Sequence, residues 1–172
     1  MLETLRDLVI AEKEIAENKE WTLVGRCLEV KLPLFAGGLA PEGFFFRATA
    51  IATLPDQQVT FQLEYHGIDI PGGTGPLCRL EWRPKGKHDN KGQGPAELRF
   101  IEQTGSHFHS FEDNWSHENG ALLRDNLPIA RPINQDIQGF RECLEVVGNL
   151  FRINNISIVK TPEWVLGMTL WD

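Results

Sequence analysis

Four of the five histidines in this chain lie within one stretch, and two of them form a His-x-His pair. The four are His88, His107, His109 and His117. On a β-strand, residues i and i+2 point to the same face, about 6.5–7 Å apart along the backbone. His107 and His109 can therefore converge on one cation or one phosphate. The fifth histidine, His66, ends an apolar strand and is predicted to be structural or to lie on the surface.

One interpretation of this stretch is acid–base chemistry or binding at a phosphate. Metal-independent phosphodiester cleavage needs one histidine as base, another as acid, and a cation that stabilises the transition state. The residues predicted to supply these roles are His88, His107, His109 and Arg79. The residues predicted to bind the ligand are Arg83 and the loop lysines Lys85, Lys87 and Lys91. The ligand expected from this interpretation is RNA or a nucleotide, and no cofactor is required.

The alternative interpretation is a divalent transition-metal site. Imidazole and carboxylate groups bind zinc, iron, manganese and nickel. His107 and His109 supply two ligands, which His88, His117, Glu112 or Asp113 can complete. The stretch GSHFHSFEDNW resembles the first metal motif of the cupin β-barrels, although Glu112 follows the pair more closely than in cupins. That resemblance implies a metal-dependent small-molecule enzyme with His107, His109, His117 and Glu112 as ligands.

The order of four short motifs resembles the small TumE-like and related proteins that are often encoded in toxin–antitoxin gene pairs. The motifs are CRLEW (78–82), KHDN (87–90), GSHFH (105–109) and FEDN (111–114), followed by a helix. The resemblance covers residues 77–153, and Glu81 stands where that family has an aspartate. It implies a two-component system with a protein partner and toxicity to the host cell.

Tryptophans outside any core pattern suggest a third class, a non-enzymatic interaction module. Trp115 lies in the polar stretch EDNWSHENG, and Trp164 and Trp171 lie in the apolar C-terminal tail. Exposed tryptophans often anchor protein interfaces. Under this hypothesis, the tail either caps the sheet or joins an interface with a protein partner or a second copy of the chain.

Composition limits the classes of partner. The 172 residues have the length of one domain, and the net charge of −7 repels nucleic acid and anionic membranes unless a local basic patch exists. Three widely spaced cysteines without a CxxC pair, and an acidic N-terminal stretch unlike a secretory signal, predict a cytoplasmic location. The apolar runs are far shorter than a membrane span, so no membrane partner is expected.

The elements predicted to position the histidines form one α+β domain over residues 1–172. Apolar spacing predicts an N-terminal helix over 1–20, and alternation predicts a β-meander over 21–111 with strands at 96–103 and 105–111. Helical spacing returns over 136–151, with Asp136 as N-cap. The expected architecture is an antiparallel sheet of six to eight strands, possibly curled, flanked by the two helices.

Overall fold

A computed structural model describes residues 2–124 and 126–165, so Trp171 lies outside the described residues. The helices are α1 (Leu5–Ile10), α2 (Phe140–Phe151) and a short 3₁₀ turn (Ile156–Ile158). The strands are β1 (Lys13–Ile15), β2 (Thr22–Val24), β3 (Cys27–Ala36), β4 (Phe44–Ile51), β5 (Val59–Tyr65), β6 (Gly75–Trp82), β7 (His88–Asp89), β8 (Glu102–Gln103), β9 (His107–His109), β10 (Trp115–Ser116), β11 (Ala121–Leu122) and β12 (Arg131–Pro132).

An eight-stranded antiparallel sheet forms the body of the protein. Its order is β1-β3-β4-β5-β6-β9-β12, and β2 pairs with the other end of β3. The pairs β7–β8 and β10–β11 form two small separate ribbons. The prediction of an α+β fold, with six to eight antiparallel strands and a helix towards each end, is confirmed.

Alternation of buried and partly exposed residues along the strands gives the sheet one buried face. In β4, Phe44, Phe46, Ala48 and Ala50 are buried, and the residues between them are partly exposed. Helix α2 packs on the buried face through residues at helical spacing, among them Phe140, Leu144, Val147 and Phe151. Phe46 contacts both Phe61 and Phe151, with ring centroids 6.2 and 6.3 Å apart. This cluster joins the strands to the helix.

The predicted helix over 1–20 is wrong in its extent. Helix α1 ends at Ile10, and Ala11 turns into extended backbone. The next residues form β1, which pairs with the last three residues of β3. Strand β3 is ten residues long, so its end offers an open edge, and the alternation of buried Lys13 and Ile15 fits that edge. Pairing with the sheet overrides the local helix propensity.

Two further expectations are corrected. Helix α2 begins after Gly139, which serves as its N-cap with extended backbone, so Asp136 lies outside the helix. Most of the predicted strand 96–103 is a series of turns, and only β8 pairs within it. Pro95 precedes this stretch, and Phe100 points away from the core with 87% of its surface exposed. Because Phe100 is exposed, this stretch does not bury the apolar face that a strand over 96–103 would present to the core.

The other face of the sheet is covered at one end only. The connections between β6 and α2 are mostly irregular, and parts of them, such as Leu127 and Pro128, fold over β6 and β9. Towards β3 and β4 the face stays open, and it carries charged pairs such as Arg47 with Glu29. Among the described helices, none has the length and apolar character that a membrane crossing requires.

Candidate metal centre

Pairing between β6 and β9 gathers four polar side chains on one face of the sheet. Arg79 lies opposite His109, and Glu81 lies opposite His107. Because side chains alternate along a strand, both cross-strand pairs face the same way. Leu80 and Phe108, the pair between them, face the hydrophobic core. The sequence patterns Arg-x-Glu and His-x-His thus meet side by side.

His88 reaches the same point from the loop that follows β6. It begins the ribbon β7–β8, which pairs His88 with Gln103. The ring centroids of His88, His107 and His109 lie 4.9 to 5.1 Å from one another. One ring nitrogen from each of the three lies within 4.8 Å of the other two. These residues are called the histidine cluster below.

In each of these three rings, one nitrogen faces a backbone carbonyl oxygen. His107 Nδ1 lies 2.9 Å from the carbonyl of Gly105, and His109 Nδ1 lies 2.6 Å from that of Leu127. His88 Nε2 lies 2.9 Å from the carbonyl of Pro128. A carbonyl only accepts, so each of these nitrogens carries the ring proton of the neutral imidazole and donates it. The lone pairs are then on His88 Nδ1, His107 Nε2 and His109 Nε2.

Residues 126–130, called the strap below, supply two of those carbonyls. Every carbonyl of the strap accepts a hydrogen bond from a side chain: Asn126 from Arg79, Leu127 from His109, Pro128 from His88, Ile129 from Asn114, and Ala130 from Asn90 and Gln103. Asn126 and Leu127 adopt left-handed backbone, which is uncommon for a bulky residue such as leucine. The side-chain hydrogen bonds compensate that strain and fix the strap against the histidine cluster.

Arg79 lies over the face of the His109 ring. Its Nη2 atom is 3.2 Å from His109 Nε2 and 3.5 Å from His109 Nδ1. A donor directed along the in-plane lone pair of Nε2 would be much farther from Nδ1 on the other side of the ring. Nearly equal distances therefore indicate stacking of the guanidinium on the ring. The lone pair of His109 Nε2 is left free for another partner.

Glu81 is the one carboxylate near the histidine cluster among the described ion pairs. Its Oε2 lies 3.6 Å from His107 Nε2, and its Oε1 lies 3.8 Å from His109 Nε2. Oε1 also pairs with Arg79 Nε at 3.0 Å. The carboxylate thus balances the charge of Arg79 while both oxygens remain beside the imidazole lone pairs.

Burial keeps two of the imidazoles neutral. The exposed fraction is 2% for His107 and 0% for His109. Loss of hydration, followed by the nearby charge of Arg79, lowers the pKa of His109 to about 2. Burial likewise lowers the pKa of His107 below its usual range. Both rings are unprotonated at neutral pH.

Neutral, buried imidazoles favour metal binding over acid–base catalysis at a phosphate. A histidine that acts as general acid is an imidazolium at working pH, whereas His107 and His109 are neutral imidazoles whose one N–H is held by a backbone carbonyl. A phosphodiester strand also cannot touch side chains that are almost fully covered. A histidine that binds a metal is, in contrast, a neutral imidazole: one nitrogen binds the ion, and the N–H of the other nitrogen usually donates a hydrogen bond. These rings are in that state.

His107 Nε2 is a buried nitrogen that lacks a hydrogen-bond partner within residues 2–124 and 126–165. Leaving a buried polar atom unpaired costs about 1–3 kcal/mol. A metal ion bound there would accept its lone pair and remove that cost.

The predicted ligand-binding cations are dispersed. Arg83 donates to the carbonyl of Ile137 and holds the loop before α2. Lys87 pairs with Glu102 at 2.7 Å, and Lys91 lies exposed in a turn. Lys85 is exposed beside Glu81, in a depression on the open face of the sheet. Of the predicted residues, His88, His107, His109 and Arg79 therefore come together, and Lys85 lines the same depression as Glu81.

The alternative ligands His117 and Glu112 do not join the cluster. Among the described histidine, cysteine and acidic residues, one group has metal-ligand spacing. It consists of His88, His107 and His109 and contains neither His117 nor Glu112. His117 is exposed, and Glu112 pairs with Arg6 at 3.1 Å. Asp113 accepts hydrogen bonds from Arg131 instead. Strand β9 ends at His109, so the strand spacing that brings His107 and His109 together does not extend to Glu112 or His117.

Sequence reasoning missed Glu81, Asn90 and Asn114 as parts of this site. Glu81 had a signal, since it stands two residues after Arg79 on a predicted strand. Asn90 and Asn114 are 1% and 0% exposed and bind the backbone of the strap. The motifs KHDN and FEDN end in these two residues, but asparagine in a polar loop is ordinary turn chemistry, so the sequence indicated no role for them in the site.

Comparison with protein-family models, with curated proteins and with solved structures found no match for this chain. The resemblance to TumE-like proteins therefore stays a prediction.

Proposed function

We propose that the protein binds one divalent transition-metal ion through His88 Nδ1, His107 Nε2 and His109 Nε2, with Glu81 as a carboxylate ligand. The observation that carries this proposal is the orientation of the three rings. Each donates one N–H to a backbone carbonyl, and one ring nitrogen of each histidine lies within 4.8 Å of a ring nitrogen of the other two. Metal-bound histidines usually show this outer hydrogen bond.

The distances suit a metal after a small inward adjustment. Imidazole nitrogens bind zinc at about 2.0–2.1 Å, so two such ligands lie within about 4 Å of each other. Three neutral imidazoles and one carboxylate suit zinc, iron(II), cobalt(II), nickel(II) or manganese(II). Glu81 neutralises one charge of the ion and brings it to the edge of the covered region. The ion would supply Lewis-acid chemistry at that edge, so we propose a metal-dependent enzyme acting on a small molecule.

The test is metal binding by protein that carries no polyhistidine tag. After chelator treatment, the chain is titrated with Zn²⁺ and Co²⁺ by calorimetry, and bound metal is counted by elemental analysis. We expect one ion per chain, with binding lost in His107→Gln and His109→Gln. His117→Gln is the matched control, because this exposed histidine lies outside the cluster.

Two results would contradict the proposal. One is wild-type protein that binds neither Zn²⁺ nor Co²⁺ with a dissociation constant in the micromolar range or lower. The other is equal metal content in His107→Gln and wild type, which would locate any bound metal elsewhere. Circular dichroism of each variant establishes that lost binding does not reflect unfolding.

A further inference from the structure

We propose that the depression beside Glu81 on the open face of the sheet binds a small molecule bearing a carboxylate or phosphate group and presents it to the metal. This inference rests on the proposed metal centre and names the substrate class of the same site. Glu81 links the two regions, because it lies beside His107 and also lines the depression. Its side chain is 28% exposed, whereas those of His107 and His109 are 3% and 0% exposed.

Strand register produces a row of polar groups that leads to the histidine cluster. Thr49 lies opposite Thr60, Thr60 opposite Glu81, and Glu81 opposite His107. These four residues share one face, and neighbouring strands are about 4.7–4.9 Å apart. A ligand seated over Thr60 therefore lies one strand away from Glu81 and two strands away from His107. A small molecule can span that distance.

The lining of the depression defines the chemistry of the ligand. Its polar residues are Thr49, Gln58, Thr60, Glu81 and Lys85, and Pro84 forms part of its wall. Lys85 has no ion-pair partner among the described side chains, whereas Lys87 in the same loop is paired with Glu102. An unpaired ammonium beside hydroxyl and amide groups suits an oxyanion with further hydrogen-bonding atoms. The carboxylate of Glu81 is directed to the metal in the loaded protein, which reduces its repulsion of that anion.

The size of the depression selects a small molecule over a polymer. Its volume is about 270 Å³. Ligand sites for drug-sized molecules have volumes of roughly 300–1,000 Å³. Arg83 and Lys87, two of the other cations predicted for nucleic-acid binding, are engaged by the carbonyl of Ile137 and by Glu102, so they do not extend a basic track from Lys85. The net charge of −7 further disfavours a polyanion.

The experiment uses the full chain loaded with Co²⁺, whose visible absorption reports on the ligands of the metal. Oxalate and inorganic phosphate are titrated separately, and a single-stranded RNA oligonucleotide forms a third arm. We expect at least one of the two small anions to change the spectrum saturably, and Lys85→Gln to weaken its binding about tenfold. Lys87→Gln is the matched control and should bind like wild type. A difference between oxalate and phosphate distinguishes a carboxylate from a phosphate ligand.

Each other outcome overturns the inference in a distinct way. Equal affinity in Lys85→Gln and wild type would mean that the anion binds the metal without using the depression. No spectral response to either anion, in protein that does bind Co²⁺, would refute the substrate class and leave the metal proposal intact. Tighter binding of RNA than of both small anions would refute the small-molecule assignment. Failure to bind Co²⁺ at all would refute the proposed function itself.

Discussion

Lys13 shows how a single charged residue can be buried without a carboxylate partner. Its side chain is 0% exposed, and its ammonium group donates to the carbonyls of Val9 and Ala11, at 2.7 Å each. These carbonyls lie at the end of α1, where the helix leaves acceptors unpaired. Burial lowers the pKa of Lys13 from 10.5 to about 8. The folded protein therefore releases this proton earlier than the unfolded chain does.

We predict that Lys13 makes the free energy of unfolding rise with pH between about 8 and 10.5. In that range the unfolded chain holds the proton that the folded protein has lost, so stability increases with pH. The full change is on the order of 3 kcal/mol. Urea denaturation of wild type and Lys13→Met across this range isolates the contribution. The free energy of unfolding of wild type minus that of Lys13→Met should rise with pH.

The comparison with Lys13→Met is necessary because buried cysteines act in the opposite direction. Burial raises the pKa of Cys78 to about 12, so the unfolded chain loses this proton first and stability falls as pH rises. Both proteins keep the burial that causes this effect, whereas Lys13→Met also removes the charge that lowers the pKa of Cys78 in wild type. Parallel curves for the two proteins would show that Lys13 has the same pKa folded and unfolded.

The residue pattern of the site was predictable only within a strand. The spacing of His107 and His109 gives a shared face, and this needs no knowledge of tertiary structure. The choice of His88 over His117 depends on how two loops fold back, which residue spacing does not encode. Glu81 joins because β6 pairs with β9 and skips the small ribbon between them. That pairing is a long-range property of the sheet.

At the scale of elements, the strap depends on Asn114. Its side-chain amide donates to the carbonyls of Ser110 and Ile129 and accepts from the Ile129 N–H, all at 2.8 Å. We predict that Asn114→Ala lowers the free energy of unfolding by about 2–3 kcal/mol, because it leaves buried backbone groups unpaired. Metal affinity should fall about tenfold, since the strap orients His88 and His109. Denaturation and Zn²⁺ titration measure the two effects.

Asn119→Ala is the control for this variant. Asn119 lies in the same loop region, is exposed, and bonds only to the nearby Ser116 among the described residues. It should change stability by less than about 0.5 kcal/mol and leave Zn²⁺ affinity unchanged. Unchanged metal affinity in Asn114→Ala would show that the strap does not orient the histidine cluster.

Helix α2 contains a glycine that packing requires. A Cβ atom at Gly148 would lie 2.5 Å from Ile156 Cγ2, which is closer than atoms can approach. Alanine favours a helix over glycine by about 1 kcal/mol. We nevertheless predict that Gly148→Ala destabilises the protein by about 1–3 kcal/mol, because overpacking outweighs helix propensity. Thermal and urea denaturation measure this change.

Gly139→Ala separates steric conflict from the general effect of glycine. A Cβ atom there meets nothing within 4 Å, and the residue precedes the helix as its N-cap. We expect a change below about 1 kcal/mol. If Gly148→Ala stabilised the protein instead, Ile156 would have moved aside at little cost.

The types of the long elements were predictable, and their ends were not. Alternation over β3 to β6 and helical spacing before Phe151 are strong signals because each element buries one face. The residues after α1 carry acids and apolar groups at helical spacing, yet the open edge of β3 draws them into the sheet. Edge pairing is decided by the length of the neighbouring strand, which is not a local property.

At the scale of the whole molecule, a metal ion bound as proposed would couple the site to folding. The proposed ligands come from β6, β7 and β9, so an ion that binds them would favour only the folded chain. We predict that Zn²⁺ at about 100 times its dissociation constant raises the melting temperature by roughly 5–10 °C. Calorimetry with and without Zn²⁺ tests this prediction, and His107→Gln should show no rise. An equal rise in His107→Gln would indicate binding elsewhere.

The strap contributes main-chain oxygens, so it is sensitive to chain length more than to residue identity. Replacing Ile129 by another aliphatic residue leaves all five carbonyls in place, since each acceptor belongs to the peptide backbone. Deleting or inserting one residue within 126–130 would shift every following carbonyl past its donor at once. Tolerance to replacement by side chains of similar size and polarity, combined with intolerance to a change in length, is therefore the mutational signature that this segment should leave in a deep scan of the gene.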